Sequence, residues 1–459
     1  MKSICKLFFL VFVYAIIAMV ISREIIVPHL ASSIDGHILG DPYYYHELAL
    51  KNIEDIFSGG ISKFELRPSG QGIAGIATLC YLVFQNPYSI VVVNALLHAT
   101  SAVLMVTILM RWFSPRISIL ASIPLIISPG MIVWFSQINK DSFSLAGFLL
   151  VTYGLLKLTG SKREMVSIGN ALLASIIIIF GALLIWIVRP YVNQILLPFT
   201  CLIFLIYFID RVRGDNDNWG ISLFVLCGAL VLTCITFLGK GAASDETINS
   251  FNHYESFSNQ AVSEQAATKQ PASKNTYAKC INNIDFKNWR NEDNLPDFLN
   301  KKLKALMGQR CLIYTILLSP GLDVTSLNSI MDQDILPKGS VESLAYLPRA
   351  ALLGIFSPWP NRWGYIFTNR PSFFYTITPI EAAMLYLGFV SLVIWILCNK
   401  AWNALIPIFL SLSIMTIYGM AIPFLGALYR YRYPWWMVVI CMGLGAFLTL
   451  AIRNKKKMI

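Results

Sequence analysis

Charge is what this chain has least of. Asp, Glu, Lys and Arg make up only 13% of its 459 residues, against 56% apolar residues, and the mean hydropathy is +0.62. That scarcity excludes an ordinary soluble domain, in which about a quarter of residues are charged. Histidine is scarcer still, at five residues, and neither HxxxH nor CxxC spacing occurs. No cofactor is implied, and a divalent metal finds no support in histidine or cysteine spacing. A glycine-rich phosphate loop is missing, which disfavours ATP or a nucleotide sugar as co-substrate. None of the 24 asparagines has Ser or Thr two residues on, so there is no N-glycan acceptor, which favours a bacterial plasma membrane. Internal repeats of the transporter kind are also lacking.

What the chain does have is long apolar runs. Several reach the roughly 20 residues needed to cross a bilayer core as a helix. The expected fold is all-α and integral to the membrane, with about ten spans: 7–24, 90–110, 116–137, 142–158, 166–188, 191–209, 218–238, 375–397, 402–424 and 434–452. The opening run, "MKSICKLFFLVFVYAIIAMVIS", has no A-x-A-like cleavage site and reads as an uncleaved first span. The apolar segment 69–86 is short and interrupted by glycine, either an eleventh span or a surface helix. Basic residues decide between these. If it does not cross, Lys2, Lys6, Arg111, Arg116, Lys157, Lys162, Arg163, Arg211, Arg213, Lys400, Arg453 and Lys455 to Lys457 all fall inside. Both termini are then cytoplasmic, and interfacial helices belong to the first outer loop.

Three regions result: a membrane module over 1–238, an extracytoplasmic region over 239–374 and C-terminal helices over 375–459. The middle region opens with a polar stretch of flexible composition, then small helices and an amphipathic interfacial segment. It is almost neutral over 239–345, so the net charge of +11 reflects cytoplasmic anchoring and not a nucleic-acid partner. Cys280 and Cys311 are the two cysteines outside the spans and their flanks, and a disulfide between them is an open possibility.

The unusual polar residues gather at the outer boundary. "HILGDPYYYHELAL" supplies Asp41, Tyr44, His46 and Glu47, and "FELRPSG" supplies Arg67. "WFSQINKDSFS" supplies Lys140 and Asp141, "WIVRPYVNQ" supplies Arg189, and "GALYRYRYPWW" supplies Arg430 and Arg432. Plainer readings stand beside these. The arginine turn reads equally as an aromatic belt with snorkelling guanidiniums. Asp41 reads as a helix cap before Pro42, and Lys140 reads as the partner of Asp141.

The layout resembles the GT-C superfamily of multi-span glycosyltransferases, which includes protein mannosyltransferases and aminoarabinose transferases. "DPYYYHELA" matches the family's first-loop catalytic Asp through Asp41. "ELRPSGQGIAG", with Arg67 and Pro68, matches its segment before an interfacial helix. "SPGMIVWFSQINKDSFSL" supplies Pro129, Ser136 and Asp141 in a further family position. The resemblance covers residues 1–240 best. It implies a polyprenyl-phosphate sugar donor, a glycan or lipid-linked acceptor in the cell envelope, and Asp41 as catalytic base. Transfer needs such a base at the acceptor hydroxyl, and cations against the leaving phosphate. Arg67, Lys140, Arg189, Arg430 and Arg432 suit the second task. Tyr44, His46, Glu47 and Asp141 would line the site, and Arg349, in "YLPRAALLGIFSPWPNRW", a groove beside it. Two rivals share these features: an O-antigen or capsule polymerase or ligase, and a lipid-linked glycan flippase, which calls for polar groups deep in several spans.

Overall fold

The structure is a computed structural model describing residues 2–30, 33–34, 36–38, 40–159, 168–214, 218–239, 289–291, 294–317, 330–332, 335, 337–361, 363 and 373–457. Lys162, Arg163, Cys280 and the polar start of the long loop lie outside them. Cys311 is disulfide-bonded.

The chain is an all-α, multi-pass membrane protein. Eight described helices are long and apolar enough to cross a membrane: Ser3–His29, Ser89–Leu109, Asp141–Leu158, Ile168–Val188, Pro190–Ile209, Ile377–Asn399, Trp402–Ala421 and Leu425–Arg453. Their outward faces carry bare apolar side chains such as Phe9, Leu10, Ile176 and Leu397, which water would not tolerate and lipid does. The expected span 116–137 is a bent pair, Pro115–Ile127 and Pro129–Phe135, meeting at 52°. Pro129 cannot donate to the ladder, and its ring clashes with the preceding turn, so the helix breaks at Ser128. The region expected at 218–238 forms the helix Asn218–Gly239.

Of two further segments, one agrees with expectation and one does not. The segment 69–86 forms a helix over Gly72–Phe84. Its 13 residues rise only about 20 Å, too little for a bilayer core. The stretch 425–433, expected as a turn, belongs to one continuous helix over Leu425–Lys457. That difference decides which way its arginines face.

Interhelix contacts depend on missing side chains. Gly147 and Gly181 face each other where Asp141–Leu158 crosses Ile168–Val188. A Cβ on either would stand 2.6 or 2.5 Å from the other's carbonyl oxygen. Gly443 is equally confined: a Cβ there would stand 2.5 Å from the backbone of Gly388. Such close crossings give membrane helices the packing contact that lipid cannot replace. Trp435 and Trp436 are fully buried at the centre, and Phe148 meets Trp435 edge-on at 4.7 Å.

Candidate functional site

A short antiparallel hairpin, Ser33–Ile34 with His37–Ile38, follows the first span. Its turn uses Gly36 at φ 72°, and Gly40 at φ 115° redirects the chain into the helix Asp41–Gly59. Both angles lie where a β-carbon is disfavoured. The cap is therefore Gly40, and Asp41 is the first helical residue with Pro42 behind it. The Asp41 carboxylate faces the last helix.

There it accepts a hydrogen bond from Arg430 Nη1 at 2.9 Å. Arg430 Nη2 donates to Asn139 Oδ1 at 2.8 Å, and its Nε lies 3.6 Å from Asp141 Oδ2. Asp141 Oδ1 in turn accepts from Arg189 Nη2. Charges thus alternate along Asp41, Arg430, Asp141 and Arg189, and accessibility falls along the chain. Side-chain exposure is 15% and 13% for the first two, then 5% and 1%. Trp134 lies 4.5 Å beneath the Arg430 guanidinium, and the Tyr431 ring covers Arg189 at 4.9 Å, both within cation–π range. Asp141 opens its helix and Arg189 directly follows the end of Ile168–Val188. Asp141 therefore also opposes the backbone dipole at its helix N-terminus, whereas Arg189, directly before the helix Pro190–Gly214, meets the opposing ends of two dipoles.

The irregular stretch 136–140 that presents Asn139 is held from three sides. Asn94 Nδ2 donates to the carbonyls of Phe135 at 2.8 Å and Gln137 at 3.0 Å, and Ser142 Oγ donates to Asn94 Oδ1. Gln137 Oε1 accepts from the Ile38 amide, and its Nε2 donates to the Gly36 carbonyl, which ties the hairpin to this bend. Asn139 and Arg189 are fully buried, yet among the described residues Asn139 Nδ2, Arg189 Nε and Arg189 Nη1 have no hydrogen-bond partner. Buried donors of this kind need an acceptor.

Other candidates lie nearby or apart. Lys140 Nζ sits 5.3 Å from the Tyr45 ring; the plainer reading that paired it with Asp141 gives way to Arg189 and Arg430 as the cations on that carboxylate. Tyr44 is half-buried, and burial raises its hydroxyl pKa; a bond to Ser69 opposes the rise and the Asp41 charge adds to it. His46 Nδ1 pairs with Tyr81 OH at 3.0 Å, and its ring stacks on His37 at 4.5 Å. Burial first, then the Arg23 and His46 charges, push His37 down to about 2. It therefore stays neutral, with Nε2 accepting from Arg23 Nη2 at 2.9 Å. Glu47 is exposed. Arg67 bonds the Gly70 carbonyl through Nε and Nη2, with its guanidinium 5.5 Å from the Trp186 ring.

Arg349 and Arg432 are not brought to the cluster. Arg349 grips Asp332 with two hydrogen bonds. Burial alone would raise the Asp332 carboxyl, but its bonds from Arg349 and Tyr346 hold it below its ordinary value. Arg432 is fully buried, and its Nη atoms donate to the carbonyls of Leu353, Gly354 and Ser357 and to Ser357 Oγ. It closes the C-terminus of the helix Ser340–Phe356, where orphan carbonyls and the dipole both want a cation.

Asn139, Trp134 and Tyr431 belong to the cluster and were not singled out from sequence. Their only signal was membership of the polar run "WFSQINKDS" and of the arginine segment. Compared with known proteins, the chain matches no protein-family model and no curated sequence.

Proposed function

We propose that the chain is a GT-C-type membrane glycosyltransferase that moves a sugar from a polyprenyl-phosphate donor to a cell-envelope glycan or lipid acceptor. The ten-span topology read from the basic residues goes with it. Both termini are then cytoplasmic and the Asp41 cluster faces outward. One observation carries the reading: a carboxylate near the edge of the bundle, Asp41, is ion-paired at 2.9 Å to a guanidinium from a helix nearly 400 residues away, Arg430.

The pair accounts for both halves of the chemistry. A donor phosphate arriving beside Arg430 would compete with Asp41 for the cation. Drawn to the phosphate, Arg430 offsets charge as the leaving group departs. Asp41 then loses the counter-ion that held it weakly basic and becomes a better acceptor for the proton of the attacking hydroxyl. The Asn139 amide, whose Oδ1 already holds Arg430, offers a further donor to a phosphate oxygen. Proton and phosphate then each have a defined neighbour, and the lipid tail remains among the bare apolar helix faces.

Asp41→Asn keeps the shape and removes the base. Sugar transfer should fall by about 100- to 10,000-fold, with insertion and folding unchanged; retention of full transfer would falsify the assignment. A second reading, an O-antigen or capsule polymerase or ligase, is favoured by the position of Arg430 between two carboxylates, which makes the guanidiniums and not the base the working groups. Mass analysis of the surface glycan with and without the protein separates the two. A missing side-branch sugar means a transferase, and shortened chains mean a polymerase.

A further inference from the structure

Glu381 belongs to the span Ile377–Asn399 and is only 6% exposed, and the mechanism above does not use it. An ionisable side chain at that depth is costly and needs partners. Among the described residues its hydrogen-bond partners are all hydroxyls. Oε1 accepts from Ser128 Oγ at 2.9 Å and from Tyr433 OH at 2.6 Å, and Oε2 accepts from Tyr429 OH. The Ser128 and Tyr433 hydroxyls also touch each other.

These three partners sit at particular places in the chain. Ser128 is the break in the bent span, directly before the short helix Pro129–Phe135 that carries Trp134 and leads to Asn139. Tyr429 and Tyr433 are one helical turn apart and bracket Arg430 in sequence. One carboxyl group therefore fastens both segments that hold the Arg430 guanidinium. Those are the helix it projects from and the bend that stacks beneath it and accepts its hydrogen bond. Gly130 keeps the junction close, since a Cβ there would stand 3.3 Å from Tyr429 OH and 3.5 Å from Tyr433 OH.

We infer that Glu381 is the positioning residue of the Arg430 site: through Ser128, Tyr429 and Tyr433 it sets the placement of Arg430 against Asp41 and Asn139. Its consequence for catalysis rests on the glycosyltransferase reading, but the placement itself does not. What Glu381 contributes is hydrogen-bonding shape. An amide there keeps all three contacts, because its oxygen accepts from Ser128 and Tyr433 and its NH2 donates to the Tyr429 oxygen. Alanine removes them all.

The test reads geometry without any substrate. In native membranes, Asp41→Cys with Arg430→Cys is treated with a short bis-thiosulfonate, and the 41–430 link is quantified by mass spectrometry after digestion. Added Glu381→Gln should leave the linking rate unchanged. Added Glu381→Ala should lower it by about tenfold or more, since reactions between held groups collapse on misplacement by about 1 Å. Tyr429→Phe with Tyr433→Phe should do the same, and this pair decides the matter if the alanine variant fails to insert. Linking at the parent rate in the alanine or double phenylalanine background overturns the inference. So does a glutamine variant that behaves like alanine, since charge would then be what acts. If the links behave as stated while the native chain transfers no sugar, the functional reading fails and the positioning role stands.

Discussion

Removing the carboxylate between the two arginines, by Asp141→Asn, should damage the fold more than any surface substitution. Arg189 is 1% exposed and Asp141 5%, and they share a direct hydrogen-bonded ion pair. The asparagine leaves Arg189 buried without an anion and takes from Arg430 the second of its two carboxylate neighbours. Stranding one member of a buried pair costs about 3–5 kcal/mol, roughly a 100- to 5,000-fold loss in the folded ratio. Arg189→Gln should cost a similar amount for the mirror-image reason. The double variant should cost much less than the sum, because two neutral amides can bond each other and no lone charge remains. The coupling should reach about 1.5–3 kcal/mol. Reversible unfolding in mixed detergent micelles, run as a double-mutant cycle, measures it. If the two single effects add to within about 0.5 kcal/mol, Asp141 and Arg189 do not act as a pair, and the alternating charge chain is not an energetic unit.

Three further outcomes follow from the same geometry. Arg432→Lys should destabilise the protein by about 2 kcal/mol, because one ammonium cannot serve the Leu353, Gly354 and Ser357 oxygens together. KM for a lipid-phosphate donor should stay unchanged; a raised KM at native stability would return Arg432 to substrate binding. His37 titrates near 2 in the fold and near 6.5 when unfolded, so its share of stability is intact above pH 6.5 and drains away below it. Acidification from pH 7.5 to 5 should remove about 2 kcal/mol through this residue. His37→Gln should flatten that part of the unfolding-versus-pH curve. Gly147→Val drives a side chain into the Gly181 carbonyl and Ile185 and should cost about 1–3 kcal/mol; unaltered thermal unfolding would show that the helices can separate freely.

The spans were readable because a helix crossing lipid must be apolar along its whole length, and that leaves an unbroken signature. The pairing of Asp41 with Arg430 was half readable. Charge asymmetry placed both residues at one boundary, but no local pattern says which of several arginines the aspartate meets. Arg432 shows why. Taken as part of a turn, 430 and 432 both point at the site, whereas on a helix residues two apart face about 200° away from each other. Only the early start of the last helix, at Leu425, separates their fates. Nothing local to Glu381 points to its hydroxyl partners, because Ser128, Tyr429 and Tyr433 are residues that apolar patterning passes over. The bend at Ser128 was hidden inside a run long enough to be read as one crossing.

The four ionised groups of the Asp41 cluster sum to zero. Seen from beyond a Debye length, about 8 Å in physiological salt, such a quartet projects almost no field, so these four groups by themselves do not gather anionic ligands from bulk water by long-range steering. An anion feels the guanidiniums only on arrival. For the lipid-anchored donor proposed above, capture at these groups then depends on lateral search within the leaflet, and encounter rates should vary with the density of its hydrocarbon anchor among the lipids and stay nearly indifferent to added sodium chloride.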